Sequence, residues 1–231
     1  MFPLFFDPTF MLLIPALLLA FWAQSRVKGQ YAKYSRVYSR SGYTGSDVAR
    51  RLLDSFGLND VPVRRIDGNL TDHYDPRNRS LSLSSGVYSN SSIAAIGIAA
   101  HEVGHAIQHQ KNYVPLALRN AVVPVIGIGS TMAFPLFFIG LLMRGQFLMD
   151  LGIVLFLGVI VFHLITLPVE FDASSRALKL LDNTGILDHN EITGARSVLR
   201  AAALTYVAAA VMAFAQLARL LLLRGMFGGD D

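Results

Sequence analysis

Four stretches of about 20 consecutive apolar residues, at 2–23, 121–143, 147–169 and 201–223, set the terms on which this chain can fold. Wound as a helix, each is long enough to cross a hydrocarbon core of roughly 30 Å. Lipid offers no partner to backbone N–H and C=O groups, so a spanning segment must satisfy them internally, as a helix does. The composition agrees. The chain is 53% hydrophobic and only 16% charged, where average soluble domains carry about 25% charged residues. It contains no cysteine, so it has neither a disulfide framework nor a thiolate metal ligand.

The distribution of basic residues gives an orientation. No Lys or Arg precedes the first stretch, and Arg26, Lys28, Lys33, Arg36 and Arg40 follow it closely. That polarity is the reverse of a secretory signal, so the stretch reads as a retained anchor with the N-terminus outside. Thirteen Lys and Arg lie between the first and second stretches. One, Arg144, lies between the second and third, and Arg176, Lys179, Arg196 and Arg200 lie between the third and fourth. The positive-inside rule places 24–120 and 170–200 in the cytoplasm, with 121–169 as a transmembrane hairpin between them. The expected organisation is therefore helix 1 over 1–23, a cytoplasmic region 24–120, the hairpin 121–169, a cytoplasmic segment 170–200, and helix 4 with a tail over 201–231. The net charge of +4 is modest, and its carriers flank apolar segments. The expected partner is a lipid bilayer, not nucleic acid.

Within 24–120, residues 24–38 alternate basic and aromatic side chains, as an interfacial helix does. Residues 46–56 read as a short helix capped by Ser46 and closed by Gly57. Residues 61–66 read as a strand. Asp75-Pro76 and Asn78 mark a turn, and Leu81 and Leu83 alternate with serines. The expected result is a small β-hairpin with an exposed edge over Leu81, Ser82, Leu83 and Ser84, able to pair with an extended peptide.

The chemistry is concentrated in His101-Glu102-Val103-Gly104-His105. The helix that carries it is expected to begin near Ser89, Asn90 or Ser91 and to end near Asn112. Imidazoles at i and i+4 lie one turn apart on one face, where both can bind one Zn²⁺. The carboxylate beside the first is placed to take a proton from the attacking water. The surrounding residues are apolar on nearly every side, and a metal gives a buried imidazole pair a partner.

A catalytic zinc usually has three protein ligands and an open position. Position 111 is Lys111, which excludes a third histidine at metzincin spacing. His109 lies a full turn past His105, too far along a straight helix to share the metal, so it is a candidate to support the ligands from behind or to sit at the surface, and His73 reads as a surface histidine. Apart from Glu102 the chain has only two glutamates, Glu170 and Glu191. Glu191 lies in a turn-rich stretch resembling an exposed helix start. Glu170 directly follows the third apolar stretch, where a carboxylate is costly unless paired, so it is the favoured third ligand. Asp172 is a candidate to orient a ligand histidine. Arg176, His73 and Tyr74 are candidates for transition-state contacts. His163 and Asp150 lie within the third stretch and are functional candidates by depth alone.

Residues 71–76, 100–109 and 169–174 together resemble the YugP-type neutral zinc metallopeptidases of bacteria, over nearly the whole chain. More distantly the arrangement is similar to heat-shock and prenyl-protein-processing membrane proteases. In those an aspartate follows the ligand glutamate by four residues, where this chain has Ser174. The resemblance implies a zinc-dependent endopeptidase in the bacterial cytoplasmic membrane.

The expectation is thus a mainly α, polytopic membrane protein with a zincin-like cytoplasmic region. It hydrolyses membrane-associated or unfolded proteins at the cytoplasmic membrane surface, with Zn²⁺ on His101, His105 and Glu170 and with Glu102 as base. The alternative is a non-catalytic zinc-binding membrane adaptor. That role would normally come with a fourth protein ligand and would not need Glu102. A metal transporter ranks last, because few ionisable residues lie within the spans.

Overall fold

The computed structural model describes residues 8–227, excepting the side chain of Val125. The start of the first apolar stretch, 2–7, and the tail, 228–231, lie outside the described residues. A 3-10 turn over Pro8–Leu12 leads into helix α1, Leu13–Tyr34. Then follow α2 (Gly45–Ser55), strands β1 (Val63–Ile66), β2 (His73–Asp75) and β3 (Ser80–Ser84), and the single turn α3 (Ser85–Tyr88). Four longer helices complete the chain: α4 (Ile93–Gln110), α5 (Val114–Met143), α6 (Gln146–Asn183) and α7 (His189–Phe227). The protein is mainly helical with one small sheet. Four of its helical segments, Pro8–Tyr34, Ile126–Met143, Gln146–Asn183 and His189–Phe227, are long and apolar enough to cross a membrane.

The chain divides into two compact units. One comprises 1–23, 118–167 and 205–231, and the other 24–117 and 168–204. In the first, Phe137, Met149 and Leu220 are fully buried. Helices α5 and α6 approach so closely that a Cβ at Gly152 would lie 2.7 Å from the Ala133 carbonyl oxygen, which only glycine permits. Asp150 and His163 both belong to this unit. Asp150 is paired with Arg224, at 2.6 Å.

The second unit is built around α4. Ile96, Ala99, Ala100, Val103 and Ile107 pack against Leu52 and Leu53 of α2, Leu81 and Leu83 of β3, and Leu181 and Leu199 of the last two helices. Apolar side chains on nearly all sides of α4 are the reason it is enclosed. Its N-cap is Ser92, whose Oγ accepts from Ala95 N at 3.3 Å. The cap thus falls one residue after the expected group of polar residues, and the helix ends at Gln110. Helix α2, by contrast, begins earlier than expected. Thr44, not Ser46, is the cap and forms a reciprocal capping box with Asp47. Nor do residues 24–38 form a separate interfacial helix, because α1 continues unbroken to Tyr34.

The sheet order is β1-β3-β2. Strand β2 pairs antiparallel with β3, His73 opposite Ser82, and the Asp75 carboxylate closes the hairpin by accepting from Arg77 N and Asn78 Nδ2. Strand β1 pairs parallel with the other side of β3, Val63 opposite Leu81 and Ile66 opposite Ser84. Residues 81–84 are therefore not an edge. They form the central strand, buried along its whole length. The sheet edge that touches α4 is β2.

Candidate metal centre

Helix α4 presents His101 and His105 with ring centroids 4.7 Å apart and planes nearly perpendicular. Helix α6 brings Glu170 to them. One carboxylate oxygen, Oε2, lies 3.3 Å from His101 Nε2 and 3.6 Å from His105 Nε2. Donor atoms of these three residues all fall within 4.8 Å of one another, a grouping that can hold a metal ion. The close approach of the helices depends on the fourth residue of the motif. A Cβ on Gly104 would meet the Ala173 carbonyl oxygen at 2.7 Å. Glycine at 104 is what lets the α6 backbone come near enough for Glu170 to reach the imidazoles.

The outer nitrogens of both rings are engaged. His105 Nδ1 lies 3.0 Å from Gln108 Oε1, while Gln108 Nε2 donates to the Val169 carbonyl and to Asp172 Oδ2, both at 2.8 Å. With two acceptors facing its amide nitrogen, Gln108 must turn its oxygen to His105. His105 then donates from Nδ1 and keeps the Nε2 lone pair for a metal. Arg176 Nε in turn donates to Asp172 Oδ2. On the other ring, His101 Nδ1 lies 3.1 Å from Ser174 Oγ. With Nε2 toward the metal position, Nδ1–H donates to that hydroxyl. Two imidazoles with oriented Nε2 atoms and one buried carboxylate form the nitrogen and oxygen donor set that suits zinc with an open position. The residues present fit the ion.

Glu102 is 7% exposed. Burial pushes its carboxyl up to about 7, opposed by the nearby His101 ring and reinforced by the charges of Glu170 and Asp72. The Tyr74 backbone of β2 faces it and partly offsets that rise. A proton acceptor tuned near neutrality suits general-base work.

The other candidates fall elsewhere. Asp172 reaches His105 through Gln108, and not directly. Arg176 is held by Asp172, with its guanidinium carbon 5.8 Å from the Tyr113 ring centroid. His109 Nδ1 pairs with the Tyr74 hydroxyl at 2.9 Å. His73 is exposed, its ring bonded to the Thr71 carbonyl. Glu191 is not exposed as its sequence suggested. It is buried and accepts from Ser39 Oγ, Arg40 N and Asp188 N. It anchors 39–40 to the start of α7. The structure adds two residues whose contacts the sequence did not reveal, Gln108 and Ser174. The signals were spacing, since Gln108 is three after His105, and the position of Ser174, four after Glu170, where the distantly similar membrane proteases have an aspartate.

Among known proteins, a family described as "Putative neutral zinc metallopeptidase" matches residues 9–225. A relative in Bacillus subtilis (strain 168), named "Putative membrane protease YugP", is 50% identical over 212 residues, which cover 92% of this chain and 94% of the relative. No solved structure matches. With one family match along almost its full length and a relative this similar, the chain belongs to the neutral zinc metallopeptidase family.

Proposed function

We propose that this chain is a membrane-embedded zinc endopeptidase that hydrolyses membrane-associated or unfolded proteins at the cytoplasmic membrane surface. The observation that carries the reading is the convergence of His101, His105 and Glu170 beside the buried carboxylate of Glu102. When bound, zinc supplies Lewis acidity, polarising a carbonyl and lowering the pKa of water toward about 7.

The remaining work falls to the protein. His101 and His105 hold the ion through Nε2, their rings fixed by Ser174 and Gln108. Glu102 takes the proton of the attacking water and passes it to the leaving amine. Strand β2, the sheet edge beside α4, holds the substrate extended by backbone pairing. Chain order supports catalysis at the membrane surface, since Glu170 directly follows the apolar stretch 147–169 within the same helix.

Replacing Glu102→Gln tests this. The variant should retain zinc near the wild-type ratio and cleave an unfolded membrane protein about 10²- to 10⁴-fold more slowly. Cleavage at the wild-type rate would refute the assignment of the base.

A further inference from the structure

The bond between the Tyr74 hydroxyl and His109 Nδ1, 2.9 Å long, ties the sheet edge to the helix that carries His101 and His105. We propose that Tyr74 is the residue whose backbone grips the substrate, and that His109 is the positioning residue that keeps it in register with Glu102.

Strand β2 offers little backbone to a peptide. In an antiparallel pair, residues alternate between those that bond across the pair and those whose N–H and C=O point away from it. Leu81 N donates at 3.0 Å to the Pro62 carbonyl, on the β1 side of β3. Tyr74, its partner in β2, therefore belongs to a pair without cross-strand bonds and turns its own N–H and C=O to the open edge. His73 and Asp75 turn theirs to β3, opposite Ser82 and Ser80. Pro76, the next residue in the alternation to face outward, has no N–H. Of the residues of β2, Tyr74 alone is left to pair with an extended chain, and its backbone faces Glu102.

The side chain fixes where that residue sits. The Tyr74 ring is buried and lies tilted against the His109 ring, centroids 5.9 Å apart. Glu102 and His109 are seven residues apart on α4, which is two turns and about 10 Å of rise along one stripe of the helix. Tyr74 thus meets α4 twice, with its backbone at Glu102 and its hydroxyl two turns on at His109. Two points on one stripe set both the position and the tilt of the strand, whereas the backbone contact alone would leave β2 free to pivot. Arg79 also approaches the hydroxyl, but it belongs to an exposed pair with Asp60 and adds little.

The inference rests on the peptidase reading, and the test separates the two. Hydrogen exchange of residues 73–75, in the full chain in detergent, needs no turnover. KM and kcat for an unfolded membrane protein do. Tyr74→Phe removes only the hydroxyl, and exchange at 73–75 should quicken about fivefold, the factor for one lost hydrogen bond. KM should rise about fivefold while kcat and zinc affinity stay near wild type, because a grip on the substrate backbone acts alike on ground and transition states. His109→Leu should match Tyr74→Phe, and the double substitution should do no more than either alone. His109→Asn, which keeps an acceptor near the place of Nδ1, should recover most of the wild-type KM. Cleavage with unaltered KM or exchange in Tyr74→Phe, additive effects in the double variant, or a fall in kcat with KM unchanged would each overturn the proposal. A wild-type chain without cleavage would refute the peptidase reading, and the grip with it, whatever the exchange shows.

Discussion

Gln108 is the residue on which the orientation of the centre turns. It is fully buried, and its amide meets three partners at once: His105, the Val169 carbonyl and Asp172. Replacing it with leucine keeps roughly the same volume but removes the acceptor that fixes the His105 tautomer, and it leaves a buried carbonyl short of a donor. Zinc affinity of Gln108→Leu should fall about 10- to 100-fold, the range for groups that orient metal ligands, and Gln108→Glu should weaken it too, because a carboxylate oxygen would then face the Val169 carbonyl and Asp172. Competition with a chromophoric chelator would measure both, and wild-type affinity in the leucine variant would remove Gln108 from the metal's supporting structure. Ser174→Ala should have a smaller effect, because a single neutral hydrogen bond to His101 is lost and no second element depends on it. Such contacts lie beyond what a motif conveys. The spacing of His101 and His105 is a property of one helix, whereas Gln108 meets its partners 61 and 64 residues away.

At the scale of elements, the contact between α4 and α6 is set by the absence of a side chain at Gly104. Gly104→Ala would force the Ala173 backbone away, since a Cβ would sit 2.7 Å from its carbonyl oxygen. Overpacking of this kind costs about 1–3 kcal/mol. Because the helices that separate are those carrying the ligands, zinc affinity should fall along with thermal stability. A variant that melts lower yet binds zinc unchanged would show that Glu170 is positioned by something other than this contact. The elements themselves were legible wherever the signal was local. The α4 period, the Asp75-Pro76 turn and the apolar stretches each lie within one segment. The edge assigned to Leu81–Ser84 failed because β1, the parallel partner that covers it, is reached through the whole β2 excursion, and nothing in residues 81–84 encodes a partner so far back. Glu191 failed for the same reason, since Arg40, whose amide it accepts, lies 151 positions earlier.

For the whole molecule, a metal bound between α4 and α6 ties residues near 101 to residues near 170, so binding and folding of the second unit are linked. At free zinc about 100 times its dissociation constant, the bound state gains about 2.7 kcal/mol. Chelation should therefore lower the melting temperature of that unit by roughly 10 °C, and added zinc should restore it. Scanning calorimetry with and without chelator would decide, and a thermogram indifferent to both would argue against a metal at this position. The donor set has one more consequence. Its ligands are imidazole nitrogen and carboxylate oxygen, in a chain without a single cysteine. Peroxide, disulfide stress and thiol-alkylating reagents have no sulfur to attack at the centre, so zinc bound there would follow metal supply and acidity and would be insulated from the redox state of the cell.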